Sequence, residues 1–293
     1  MACKSFFNQD TEFLFLLICS SLGILGCIII ITLQLKHKYL RGYFNTLILY
    51  ISFSDLFRSI FTLIPCSMLP YAFLRPIFGI IIQSSFLISL FWSTCIPLFL
   101  YNVLNSTNSD FESYLKKCFI YLFSIPCLLA LPILTNSYSS TDHICDISDS
   151  GIGFFWKCGL VYTPSIILIL TSSITCIRIY LKLKYANISS QKKKMIRRIS
   201  LFPIFMCIDV LPLIFFKISD FFLGVCSINQ FNILSLGIFA LNGVFNALLF
   251  ASGNSFKEKR NDSLFQSIRS YNTSSFFSGN LLEESYNVPI RHK

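Results

Sequence analysis

The chain has 293 residues, 54% hydrophobic and 16% aromatic, with only 13% charged, against about 25% charged in soluble domains. The mean hydropathy is +0.65, and the apolar residues stand in blocks of about 20, the length needed to cross hydrocarbon. This excludes a soluble catalytic domain, and no ten-residue alternation points to a β-barrel. The net charge of +10 does not point to nucleic acid, because the cations are sorted by loop.

Residues 1–12 are expected to form a short extracellular N-terminus. The block at 13–35 is too long for the h-region of a signal peptide and reads as a retained first span. Six more follow at 43–66, 76–104, 117–138, 154–181, 199–219 and 229–252, giving an all-α seven-transmembrane helix bundle over 13–253. Pro97, Pro126, Pro164, Pro203, Pro212 and Gly243 lie inside these blocks, as membrane helices tolerate. Nineteen of the 24 Lys and Arg residues fall on one set of connections and the tail, four on the other, and Arg58 within a span. The positive-inside rule then puts the N-terminus outside and the C-terminus in the cytoplasm. A multi-pass plasma-membrane protein in contact with the lipid bilayer is expected.

The second span carries Asp55 and Arg58, three apart and able to share one helix face. A charge in mid-membrane costs about 2.5–3.5 kcal/mol on insertion scales, so such residues face the bundle interior and find partners. Asp209 in the sixth span and Asn242 in the seventh lie at a similar depth, about 15–18 Å from the inner helix ends at 1.5 Å per residue. Asp55, Arg58, Asp209, Asn242 and Asn246 are therefore read as an intramembrane polar switch, or as an internal pair that only fixes packing. In the third span Ser85, Ser89 and Ser93 recur every four residues, flanked by Gln83 and Trp92. These five are candidates for the wall of a ligand pocket, and small residues at that spacing also permit close helix packing. The loop after the fourth span holds Asp142, His143, Asp146 and Asp149, either a solvated loop or a selector of cationic ligands.

The twelve cysteines lie mostly in or beside apolar blocks, where a thiol acts as a small hydrophobe. No C-x-x-C with histidine spacing occurs, so no metal is expected. His37, His143 and His292 are the only histidines and none is in a span. No lysine in the seventh span offers a Schiff base to retinal, so no cofactor is expected. No H-E-x-x-H or G-x-S-x-G motif occurs, and no enzyme is expected. A secondary transporter or channel-like carrier using the intramembrane Asp and Arg is the rival reading; no internal repeat supports it.

Three segments carry a family likeness: Phe91-Trp92-Ser93-Thr94-Cys95-Ile96 leading into Leu100-Tyr101-Asn102-Val103, Arg197-Arg198-Ile199-Ser200-Leu201-Phe202-Pro203 with Pro212 beyond it, and Leu241-Asn242-Gly243-Val244-Phe245-Asn246-Ala247-Leu248-Leu249-Phe250. Together, over residues 15–253, these resemble the cyclic-AMP-receptor-like G-protein-coupled receptors of amoebae and other microbial eukaryotes. The resemblance implies a receptor that binds an extracellular small-molecule or peptide ligand and activates a heterotrimeric G protein. Asn102, Arg178, Lys182, Arg197 and Arg198 are the candidates for that inner contact, although topology alone also accounts for the basic ones. Such receptors join the outer start of the third span to the second outer loop by a disulfide. Cys145 is the loop candidate, but Leu74-Arg75-Pro76-Ile77-Phe78 offers no partner, leaving Cys66, Cys158 or Cys226. The sixth span departs from the family pattern as well, with Asp209 near the usual tryptophan. After Gly253, Phe256, Leu264, Phe265 and Ile268 suggest a membrane-surface helix, followed by a disordered Ser-rich cytoplasmic tail.

Overall fold

The computed structural model describes residues 9–36, 43–105, 111–141, 144–149, 151–185, 201–223 and 229–254. The helices are α1 (Gln9–Lys36), α2 (Tyr43–Thr62), α3 (Leu74–Asn105) and α4 (Phe111–Leu129). Then come α5 (Gly151–Lys157), α6 (Thr163–Tyr185), α7 (Leu201–Leu223), α8 (Asn229–Ala240) and α9 (Asn242–Asn254). With α5 and α6 joined as one rod, and α8 and α9 as another, the described residues form a bundle of seven helices that matches the seven apolar blocks. Among the described residues four helices are long and apolar enough by composition alone to cross a membrane, five if α8 and α9 count as one bent span. The remaining two, α2 and α7, hold charged residues in their interiors: Asp55 and Arg58 in one, Asp209 and Lys217 in the other.

Two rods are interrupted, each for a local reason. Residues Cys158–Tyr162 take wider, π-type turns between α5 and α6. Pro164 follows at once; it has no N–H to return to the Leu160 carbonyl, so the ordinary four-residue bond is lost there. The second break lies at Leu241, where α8 and α9 meet at a 44° bend. Here α1 crosses so closely that a side chain on Gly26 would collide with the backbone of Gly243 and Val244, and one on Gly243 with the Gly23 carbonyl. Only glycine lets the two backbones approach in this way.

The connection from α4 to α5 departs from an all-helical reading. Strands β1 (Tyr138–Thr141) and β2 (Ile144–Ile147) pair antiparallel, with Tyr138 opposite Ile147 and Thr141 opposite Ile144. This hairpin packs on α3. The Cys66–Cys145 disulfide ties it to the α2–α3 connection, so of the open partners for Cys145 the structure has Cys66, eight residues before α3 begins. The Tyr138 hydroxyl donates to the Leu129 carbonyl at 2.6 Å. Burial, with the charge of Asp146 adding to it, raises the Tyr138 hydroxyl above the ordinary tyrosine range.

The interior holds two large apolar clusters and a small third around Ile179. One, toward the hairpin, is built on Phe86, Leu90, Phe154, Val161 and Val210. The other, toward the opposite end, is built on Ile51, Trp92, Ile96, Phe99 and Phe250. The outside of the bundle exposes Leu25, Ile29, Ile120, Phe123, Ile167, Phe215 and Leu248. So broad an apolar exterior is the surface of a membrane protein.

Candidate functional site

Between the two clusters lies a polar core. Asp55 and Arg58 stand one helical turn apart on α2, and both are buried. Their side chains approach to 3.4 Å (Arg58 Nη2 to Asp55 Oδ1). The other carboxylate oxygen, Oδ2, accepts the side-chain amides of Asn242 at 3.1 Å and Asn246 at 2.7 Å, both from α9. The Arg58 guanidinium donates from Nη2 to the Phe239 carbonyl at 2.9 Å. It also sits 4.1 Å from the centre of the Phe239 ring, a cation–π contact. The bend at Leu241 supplies both sets of partners. The Leu241 N–H still serves the Gly237 and Ile238 carbonyls, but the bend leaves the Phe239 carbonyl without a backbone donor among the described residues, and Arg58 takes it. The first turn of α9 faces Asp55 with its positive end.

Above this core a cavity opens toward the hairpin. Its floor is Arg58 and Phe239, its walls include Leu16, Ile82, Phe86, Tyr162, Val210 and Leu236, and its rim carries Gln83, Asp146, Lys157 and Lys217. Its volume is about 70 Å³, against about 10–15 Å³ for one water, so it holds several waters or part of a small ligand. Below lies a smaller cavity of about 20 Å³ on the same measure, lined by Arg58, Phe86, Ser89, Leu90, Ser93, Met206, Asp209, Val210, Phe239 and Asn242. The two share Arg58, Phe86, Val210 and Phe239 as partition.

The rim is held by an ion network. The Lys157 ammonium lies between the carboxylates of Asp146 and Asp149, at 2.6 Å from Asp149 Oδ1. Lys217 from α7 reaches Asp149 Oδ2 at 2.8 Å, and Gln83 from α3 donates to Asp146. Burial pushes the Asp149 carboxyl up, but the two ammonium groups together outweigh it and hold the carboxyl below its ordinary value. The loop acids Asp146 and Asp149 therefore spend their charge on lysines and are not open to a cationic ligand. Asp142 and His143 lie outside the described residues.

The sequence candidates divide. Gln83 lines the upper cavity, and Ser89, Ser93, Asp209 and Asn242 the lower one. Ser85 is buried but lines neither, and Trp92 corrects the reading more sharply. Its ring stacks on Tyr50 at 4.9 Å and meets Phe119 edge-on at 5.3 Å, turned toward α2 and α4 and away from both cavities. At the opposite end of the bundle Asn102 and Arg178 are exposed. Lys182 donates to the Leu104 carbonyl at 3.0 Å and to the Asn105 side chain, capping the end of α3. Arg197, Arg198 and the tail beyond Asn254 lie outside the described residues. Sequence reasoning did not place Lys157, Lys217, Tyr162 or Phe239 at a site. A lysine inside an otherwise apolar block was the available signal for the first two.

The profile of the slime mold cyclic AMP receptor family matches residues 3–259. Cyclic AMP receptor-like protein G of Dictyostelium discoideum is 30% identical over 135 residues, 43% of this chain and 26% of that protein. Cyclic AMP receptor-like protein A of the same organism is 26% identical over 214 residues, 69% of this chain and 53% of that protein. The chain thus spans about half or less of the length of the curated relatives it matches. Squid rhodopsin shares the fold with a TM-score of 0.65 at 15% identity, over 87% of this chain and 85% of that one.

Proposed function

This chain belongs to the slime mold cyclic AMP receptor family, and we propose that it sits in the plasma membrane with its hairpin end outside, binds an extracellular ligand in the upper cavity and activates a heterotrimeric G protein at the opposite end. The family is one of receptors and not of enzymes. The observation that carries the reading is the shared floor: Arg58 and Phe239 both line the cavity and belong to the polar core. A ligand that presses on them acts at once on α2 and on the bend of α8 and α9. Asn102, Arg178, Lys182, Arg197 and Arg198 supply the inner surface for the G protein, residues 1–12 lie outside, and 254–293 form a cytoplasmic tail.

The ligand's chemistry follows from the charges. Arg58, Lys157 and Lys217 already stand opposite Asp55, Asp146 and Asp149, and most of the wall is apolar. An anion such as cyclic AMP, named in the description of the family, has to displace a carboxylate to enter. A mainly apolar small molecule or peptide side chain fits without that rearrangement. The test is the full chain in liposomes with an added G protein. Accelerated guanine-nucleotide exchange without solute flux is the expected result, altered in Arg58→Met. Solute movement by the chain alone, with nucleotide exchange unchanged, overturns the reading in favour of a carrier.

A further inference from the structure

We infer that the lower cavity is a binding site for one monovalent cation, a proton or a sodium ion, held by Asp209. The lining residues are Arg58 from α2, Phe86, Ser89, Leu90 and Ser93 from α3, Met206, Asp209 and Val210 from α7, Phe239 from α8 and Asn242 from α9. Asp55 stands directly behind Arg58. Two buried carboxylates thus face one guanidinium, and no other charged group lines the space. The next charges, Lys157, Lys217 and Asp146, are at the rim of the upper cavity and take part in its ion network.

The two carboxylates are unequally served. Asp55 has Arg58 on one oxygen and two amides on the other. Asp209 is only 3% exposed, and its Oδ1 has no hydrogen-bond partner among the described residues. A buried carboxylate in that condition takes up a counter-charge or a proton. The surplus is one negative charge, so one monovalent cation balances it. The space, about 20 Å³, suits one water-sized occupant. The oxygens around it are those of Asp209, the Ser89 and Ser93 hydroxyls and the Asn242 side-chain carbonyl, donors that favour a hard cation. Asp55 is not the site, because its Oδ1 is already paired with the Arg58 guanidinium at 3.4 Å and its Oδ2 holds two amides.

The test uses the full chain in phosphatidylcholine nanodiscs and needs no agonist. Unfolding midpoints are read in sodium chloride and in N-methylglucamine chloride at equal ionic strength, across acid and neutral pH. A sodium-loaded site raises the wild-type midpoint at neutral pH by about 3–5 °C for each tenfold rise in sodium above its dissociation constant. A protonated site raises it on acidification in the absence of sodium, relative to Asp209→Asn. That variant should answer to neither. Ser93→Ala should shift half-saturation to higher sodium and leave the proton response unchanged. A readout on the wild-type chain alone covers the case in which the variant fails to fold: infrared difference spectra should show a protonated carboxyl band that sodium or alkali removes. Equal responses of wild type and Asp209→Asn to both cations, or a wild-type carboxyl band indifferent to both, overturns the assignment.

Discussion

Replacing Asp55 by asparagine takes from the buried Arg58 guanidinium the carboxylate it is paired with on α2. The variant keeps the 2.9 Å bond to the Phe239 carbonyl and the 4.1 Å ring contact, but removes the anion 3.4 Å away. Both groups are almost fully shielded, with side-chain exposures of 3% and 0%, so solvent does not screen the loss. Breaking a buried pair from one side costs about 3–5 kcal/mol. At about 2–4 °C per kcal/mol for a chain of this size, the midpoint should fall by roughly 6–20 °C. Arg58→Met should cost a comparable amount, because it leaves the carboxylate with two amides and no cation. The double variant Asp55→Asn/Arg58→Met removes the paired charges together and should recover most of the loss, since neutral groups are often as stable as a buried pair, with Asp209 left to its own counter-cation. The assay is heat inactivation of detergent-solubilised protein at one fixed scan rate, with the four proteins compared as a cycle. Additive losses within about 0.5 kcal/mol, or a cost below about 1 kcal/mol for either single variant, would refute the claim that these two groups are an energetic unit.

The Cys66–Cys145 bond closes a loop across 79 positions; chain entropy alone sets an upper bound of about 4.5 kcal/mol for it. Cys66→Ala should lower the midpoint and speed proteolysis of the hairpin, and an unchanged cleavage rate would count against the tie. Gly243→Leu forces α9 off α1, costing about 1–3 kcal/mol or more and lowering the yield of folded protein; normal yield would show that the helices do not approach as described. Asp149 should give a pH signature of known sign. Its folded value lies below the ordinary one because of Lys157 and Lys217, so its contribution is complete above the unfolded value near 4 and is lost as pH falls through the folded value. Hydrogen-exchange protection of β2 should therefore be level from neutral pH down to about 5 and decline below about 4. Asp149→Asn should show weaker and flatter protection, and an identical acid profile would rule the ion network out as the cause.

The seven rods were legible because hydrocarbon imposes length and apolarity together, and the second and sixth blocks, though interrupted by charge, kept enough of both. Asp55 and Arg58 were legible as a pair because three residues is one turn of helix. The sequence pointed to Asn242 by depth and named Asn246 beside it, and their bonds to Asp55 span 187 and 191 positions, a separation that no local pattern encodes. The stripe of Ser85, Ser89 and Ser93 misled in its flanks. Trp92 and Ser93 point about 100° apart around a helix, so with Ser93 on the lower cavity Trp92 turns to Tyr50 and Phe119. The hairpin was illegible because its strands have four residues each and one reads Tyr-Ser-Ser-Thr, without an apolar alternation. Lys157 and Lys217 registered only as cations of one membrane face: Lys217 meets its acid across 68 positions, and the acids of Lys157, though 8 and 11 positions away, read as a solvated loop.

The bend at Leu241 and the Asp55–Arg58 pair explain each other. A continuous seventh rod would satisfy the Phe239 carbonyl within the helix and leave no positive helix end beside Asp55. Broken there, α8 presents its negative end to Arg58, and α9 presents its positive end, with Asn242 and Asn246, to Asp55. The ion pair thus lies across the break with each charge matched to the helix end of opposite sign. Straightening the rod would lose both matches, and removing either charge would weaken the bend. Phe239 is one residue from the end of α8 and forms the cavity floor together with Arg58. A ligand that moves its ring changes the geometry of the Arg58 bond directly, without any longer chain of contacts. Differential affinity for the bent and straightened arrangements is the quantity through which binding at one end of the bundle can bias the other.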